Sequence, residues 1–293
     1  MKYKAAAVQM EVNSPDKQEN LAKALRLLDG AVAEGAKAIC FPDYFLTDTP
    51  TVEMKEADLK TVAEPIPGPT IDKFAKAAQR HKVYVVAGSI LEMGEDHKIY
   101  STSTFIGPDG NIVGKVRKMH PENAPAKREI GCGVTPDSSE FQIFRTDIGN
   151  IGIMIDMDGV AVEVPRILGL KGADVIFWPL NFSVRFTEGI HLMNRFNSMT
   201  ARAFLVSCCR SGWKLNTPVH SWGFMGRDHV DLMYGGGSGI AFNGSYLATV
   251  PDFTEGFAIA TIDTDKPAAV RKLRKQEMPL ERRPELYGLI AKP

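Results

Sequence analysis

Gly152-Ile-Met-Ile-Asp-Met-Asp158 is the stretch on which the reading of this chain turns. Residues 151–155 are a short, glycine-punctuated apolar run, the pattern of a strand buried on both faces. Such a strand offers a carboxylate no water, so Asp156 at its end is costly unless something pairs with it. A pocket-lining or reactive group is expected there, with a structural ion pair as the other option. Asp158 reads as a cap for the helix that follows.

Outward from this strand, helices and strands alternate. Downstream come a helix over 161–171, the strand Asp174-Val-Ile-Phe-Trp178, a helix over about 190–203 and the strand Phe204-Leu-Val-Ser-Cys-Cys209. Asn243-Gly244 turns a hairpin from Gly239-Ile-Ala-Phe242 into Tyr246-Leu-Ala-Thr249. Upstream, residues 3–10 read as a buried strand, and Leu21, Leu25, Leu28 and Val32 recur at helical spacing after Ser14-Pro15-Asp16. The strand Ala36-Lys-Ala-Ile-Cys-Phe41 stops at Pro42-Asp43, which puts Asp43 just past a strand's carboxyl end, where open α/β sheets gather ligands. A helix over 71–80, a strand over 83–90 and a hairpin over 102–118 turned by Pro108-Asp109-Gly110 then deliver Lys118 at another strand end. By itself Lys118 reads as a solvated hairpin end. The order repeats in both halves without a low-complexity linker or charge block, so residues 1–293 read as a single domain.

At 293 residues, 44% of them hydrophobic, the chain is large enough for a sizeable core. Its 35 basic and 35 acidic residues balance, which leaves no field for a polyanion and argues against nucleic acid as a partner. The apolar run at the N-terminus is too short for a secretory segment, and no stretch approaches a bilayer span. The expectation is a cytoplasmic protein that does not enter a membrane. Cys40, Cys132, Cys208 and Cys209 lack Cys-x-x-Cys spacing and the six histidines lack a paired metal spacing, so no metal or cofactor is expected.

Val8-Gln9, Phe41-Pro-Asp43, Gly114-Lys-Val-Arg-Lys-Met-His120, the stretch from Gly149 to Asp158, Thr200-Ala-Arg-Ala203 and Arg282-Arg-Pro-Glu-Leu-Tyr-Gly288 follow one another in an order that resembles the nitrilase superfamily of carbon–nitrogen hydrolases. The resemblance covers nearly the whole chain. It implies an α/β fold in the form of a four-layer α-β-β-α sandwich, with a glutamate, a lysine and a cysteine at strand ends. It also implies a homodimer or higher homo-oligomer, with the C-terminal tail, about 265–293, at a subunit interface; residues 270–279 read equally as a solvated basic helix. Mapped onto this chain, Asp43 stands for the catalytic glutamate, Lys118 for the lysine and Asp156 for the cysteine. Glu129 matches a further family glutamate if one residue is inserted before Thr135-Pro136.

Two of three triad positions are therefore exchanged, and the chemistry must change with them. A carboxylate cannot form the family's thioester, and its attack on an amide would give a mixed anhydride while expelling a poor leaving group. Ester formation at a saturated or activated carbon, or proton transfer without a covalent intermediate, remain open to Asp156. Glu to Asp withdraws one arm by about 1.5 Å, whereas Cys to Asp extends the other, so Asp43, Lys118 and Asp156 can still converge. With Glu129, three carboxyls would surround one ammonium and would not all ionise, which makes an acid/base set.

Asn181, Trp178, His120 and Phe186 are expected to bind or orient substrate, with Arg185, His191 and Trp222 as further pocket candidates. Cys132, in a Gly-Cys-Gly loop, is the alternative nucleophile that the sequence offers. The expected function is an enzyme acting on a small nitrogen-containing metabolite by carboxylate and lysine chemistry. The alternatives are a silent binding or assembly protein and an inactivated conventional amidase or nitrilase. A lysine closed inside an ion-pair network without an open pocket would favour the silent protein.

Overall fold

Alternate residues of the central strands face two different cores, and this sets the layering. The computed structural model of the chain describes residues 1–12, 16–47, 49–51, 53–124, 127–218, 229–277 and 282–290. In chain order the elements are β1 (Lys2–Glu11), α1 (Lys17–Ala33), β2 (Ala36–Cys40), α2 (Glu56–Val62), α3 (Pro69–His81), β3 (Tyr84–Met93), β4 (Ile99–Ile106), β5 (Ile112–Arg117) and the short ribbon β6 (Asn123–Ala124) and β7 (Lys127–Arg128). The second half continues with β8 (Ile143–Thr146), β9 (Gly149–Ile153), α4 (Glu163–Leu170), β10 (Val175–Pro179), α5 (Thr187–Ala201), β11 (Phe204–Cys208), β12 (Arg210–Pro218), β13 (His229–Gly235), β14 (Gly239–Phe242), β15 (Ser245–Thr249), β16 (Gly256–Asp263) and α6 (Asp265–Glu277).

One sheet runs β13-β12-β1-β2-β3-β4-β5, with β16 also paired to β1; the other runs β15-β14-β11-β10-β9-β8. In β1, Ala6, Val8 and Met10 pack outward against Leu21, Leu28 and Phe74 of α1 and α3, while Ala5 and Ala7 face inward. In β10, Val175 and Phe177 meet that inner core, and Ile176 and Trp178 pack outward with Val164, Leu168 and Ile190 of α4 and α5. Three apolar cores thus separate four layers, and the fold is the α-β-β-α sandwich expected from the motifs.

Local chemistry accounts for the element ends. Asp16 caps α1 by accepting from Gln18 N and Glu19 N at 2.9 and 3.1 Å, and Asn243-Gly244 takes φ of 49° and 84° in the tight turn of the β14–β15 hairpin. Three features differ from the sequence reading. The strand read over 151–155 ends at Ile153 and is followed by a tight turn, Asp156–Gly159. Asp158 does not cap the next helix, because α4 starts at Glu163 and has no side-chain cap. The hairpin β12–β13 and the strand β16 lie in segments that the sequence reading leaves unassigned; β16 pairs antiparallel with β1 from Lys2↔Asp263 to Gln9↔Gly256.

Candidate active site

The carboxyl ends of β2, β5, β9 and β10 point to one place. Asp43 follows β2, Lys118 follows β5, Asp156 lies just past β9 and Asn181 just past β10. Glu129 opens the short turn Ile130–Cys132, which carries it toward the same point. Lys118 is 1% exposed, and Asp43, Glu129 and Asp156 are 0% exposed, so the solvated reading of the lysine is corrected.

Lys118 Nζ lies 2.5 Å from Asp156 Oδ2, 2.9 and 2.8 Å from the two Glu129 oxygens and 3.9 Å from Asp43 Oδ2. Three carboxyls therefore surround this ammonium. Asp156 Oδ1 accepts from the backbone N–H of Asn181 at 3.1 Å, so both of its oxygens are engaged. Glu129 also accepts from the Tyr44 hydroxyl at 2.7 Å and from Glu122 N at 2.8 Å. Asp43 Oδ1 takes the Ser89 hydroxyl, which in turn accepts from Ser101 at 2.7 Å. Burial, followed by the charges of Glu129 and Asp43, pushes the Tyr44 phenol well above its usual range and keeps it a hydrogen-bond donor.

The turn holding Asp156 is fixed from below. Asp156 has φ +50°, a left-handed conformation that an aspartate tolerates better than most residues. Trp178 Nε1 donates to its carbonyl at 2.9 Å, and a Cβ on Gly159 would fall 2.3 Å from the Trp178 ring. Glycine is needed there so that the turn can lie on the indole.

The remaining candidates separate. Trp178 is fully buried beneath the turn. Asn181 is 4% exposed; its Nδ2 donates to Thr49 Oγ1 at 2.6 Å, and its Oδ1 accepts no hydrogen bond among the described residues. His120 is exposed and lies against Asp158, whose hydrogen bond pushes the imidazole above its usual value. Phe186 is exposed and meets Phe182 edge-on. His191 is held by Tyr246 and Asp252, and Trp222 lies outside the described residues. The Cys132 thiol is buried near the carbonyls of Thr51 and Met54, in a cluster with Leu59 and Val134. Cys209, between β11 and β12, has a thiol pushed up to about 12 by burial. Among the described residues no group of three His, Cys, Asp or Glu is placed to hold a metal ion, and no helix is long and apolar enough to cross a membrane.

The sequence reading does not single out Tyr44, Ser89, Ser101 or Thr49. The available signals were weak: a tyrosine adjoining Asp43, and serines interrupting the apolar strands β3 and β4.

The chain matches the carbon–nitrogen hydrolase family over residues 4–272 and belongs to that family, within the nitrilase superfamily. It is 27% identical to the omega-amidase NIT2 of Xenopus tropicalis over 235 residues, covering 76% of this chain and 82% of that protein. It is also 27% identical to the chloroplastic omega-amidase of Arabidopsis thaliana over 305 residues, covering 99% of this chain and 74% of that protein. A carbon–nitrogen hydrolase from Helicobacter pylori superposes with a TM-score of 0.83 at 19% identity, covering 100% of this chain and 99% of that one. Nit3 of Saccharomyces cerevisiae gives 0.74 at 22% identity, covering 96% of each. At these identities the structural likenesses speak to the fold.

Proposed function

We propose that this chain is an enzyme acting on a small nitrogen-containing metabolite by proton transfer among Asp156, Lys118 and Asp43, without a thioester. The observation that carries the reading is the contact of Lys118 Nζ with Asp156 Oδ2 at 2.5 Å, with Asp43 facing the same ammonium at 3.9 Å. A buried carboxyl and ammonium at that distance can exchange a proton. Both oxygens of Asp156 are engaged by donors, and one of these donors is the ammonium with which it would exchange the proton. Glu129, tied by Lys118, Tyr44 and Glu122 N, serves as a fixed counter-charge. The buried Oδ1 of Asn181 is suited to receive a substrate N–H. The relatives named omega-amidases support a nitrogenous substrate, whereas their activity says nothing of an aspartate at this position.

A metabolite screen by thermal shift, followed by intact-mass spectrometry during turnover, tests this. A stabilising nitrogenous metabolite and an unmodified protein mass are expected; an adduct on Asp156 would replace acid/base catalysis with nucleophilic catalysis. The closed ion-pair network around Lys118 favours a second reading, a silent binding or assembly protein. Under that reading the screen yields no metabolite that is turned over.

We also propose that the chain assembles through the outer face of α4 and α5. Val162, Leu170, Phe196 and Met199 are exposed there and line a groove of about 940 Å³ bounded on its far side by Tyr287 and Ile290. An apolar patch of this kind marks an interaction surface. Sedimentation is expected to show a dimer or larger assembly that Phe196→Glu with Met199→Glu converts to monomer; a monomeric wild-type protein would sink the idea.

A further inference from the structure

We infer that Asp158 is a positioning residue whose carboxylate fixes the separation of Lys118 and Asp156, an inference that rests on reading those two as the reacting pair. Its Oδ2 accepts from Ile155 N at 3.0 Å, and its Oδ1 accepts from Met119 N at 3.1 Å and His120 N at 2.9 Å. Ile155 immediately precedes Asp156, and Met119 immediately follows Lys118. One buried carboxylate, 1% exposed, therefore holds the backbone beside both reactive side chains.

The location explains why such a tie is needed. Lys118 leaves β5 in the eight-stranded sheet, whereas Asp156 follows β9 in the six-stranded one, and no ladder pairs these two strands. Stacked sheets lie about 10 Å apart and are held by apolar packing, which is non-directional. Reacting groups need placement within about 0.5 Å. The directional bonds at Asp158 supply that precision where the cores cannot.

His120 completes the staple. Its Nδ1 lies 2.8 Å from Asp158 Oδ1, and the groups that set its charge are Asp158 first, then Glu163 and Lys118. The Asp158 hydrogen bond raises the imidazole's folded value, so its contribution is fully present below the ordinary histidine value and is lost as pH rises through the folded one. Within that window the imidazolium reinforces the charge that gathers the Lys118 loop. The capping role read from the sequence does not compete for this carboxylate, since Val162, not Asp158, precedes α4.

Asp158→Asn separates the two arms of the staple. Its carboxamide oxygen can still accept from Met119 and His120, but its NH2 group faces the N–H of Ile155 and releases the Asp156 turn. The expected crystal structure has Lys118 Nζ and Asp156 Oδ2 beyond hydrogen-bonding range, with the Lys118–Glu129 contact retained. NMR titration is expected to place His120 lower than in the wild-type protein, back toward about 6.5. Turnover of the substrate found by the screen is expected to fall about 10–100-fold in kcat with little change in KM, the scale of a displacement of about 1 Å. Should Asp158→Asn fail to fold, Asp158→Glu retains the charge with an arm about 1.5 Å longer; it should leave His120 raised while altering the Lys118–Asp156 contact. An unchanged Lys118–Asp156 contact in either variant, with a wild-type pH–rate profile, overturns the staple. The reading of the reacting pair fails separately, if Asp156→Asn leaves turnover unaltered, whereas the crystallographic distance and the His120 titration decide the staple without any assay.

Discussion

Asp156→Asn is expected to lower kcat for the substrate by about 10²–10⁴-fold, the range for losing a positioned acid or base. The two side chains have nearly the same shape, and a carboxamide oxygen can keep the hydrogen bond from Asn181 N. What the amide cannot do is take a proton from Lys118, and it turns a donor toward a donor at a contact now 2.5 Å long. The loss should therefore appear in steady-state kcat, alongside a lower thermal stability from the broken buried ion pair. An Asp156→Asn enzyme with wild-type kcat would remove carboxylate chemistry from consideration.

Lys118→Met is expected to be the most destabilising single change in the site. Methionine fills a similar volume, but Asp43, Glu129 and Asp156 lose the ammonium that they all face in a setting without solvent exposure. Removing one partner of a buried ion pair costs about 3–5 kcal/mol, which for a chain of this size corresponds to a fall in Tm of roughly 5–8 °C. Calorimetry reads this directly. A melting temperature equal to that of the wild-type protein would mean that the carboxyls are neutral without the lysine, and the ion-pair account would have to be discarded.

The motifs made the sandwich readable because three of them, at Asp43, Lys118 and Asp156, mark the ends of β2, β5 and β9 in sequence order. Apolar runs such as Asp174-Val-Ile-Phe-Trp178 announce doubly buried strands without reference to the rest of the chain. Strand β16 could not be read in the same way, because its partner β1 lies at the opposite end of the sequence. The convergence of Asp43, Lys118 and Asp156 was foreseeable from the compensating arm lengths, but their complete burial was not. Lys118 closes a hairpin, a place where lysine is ordinarily solvated, and here Asp43, Glu129 and Asp156 close around it. Tyr44 and Asp158 were misread or passed over for a related reason: Tyr44 donates to a residue 85 positions away, and the Met119 and His120 donors to Asp158 lie 39 and 38 positions away, beyond the reach of local pattern.

The turn that presents Asp156 is shaped almost entirely by other residues. Trp178 holds its carbonyl, Gly159 lets it lie flat on the indole, and Asp158 grips the peptide before it. None of these contacts uses the side chain at position 156. The mount is thus mechanically separate from the tool it carries, and the same socket can accept a different reactive group without refolding around it. In this sandwich, a change of reaction can begin with a single codon.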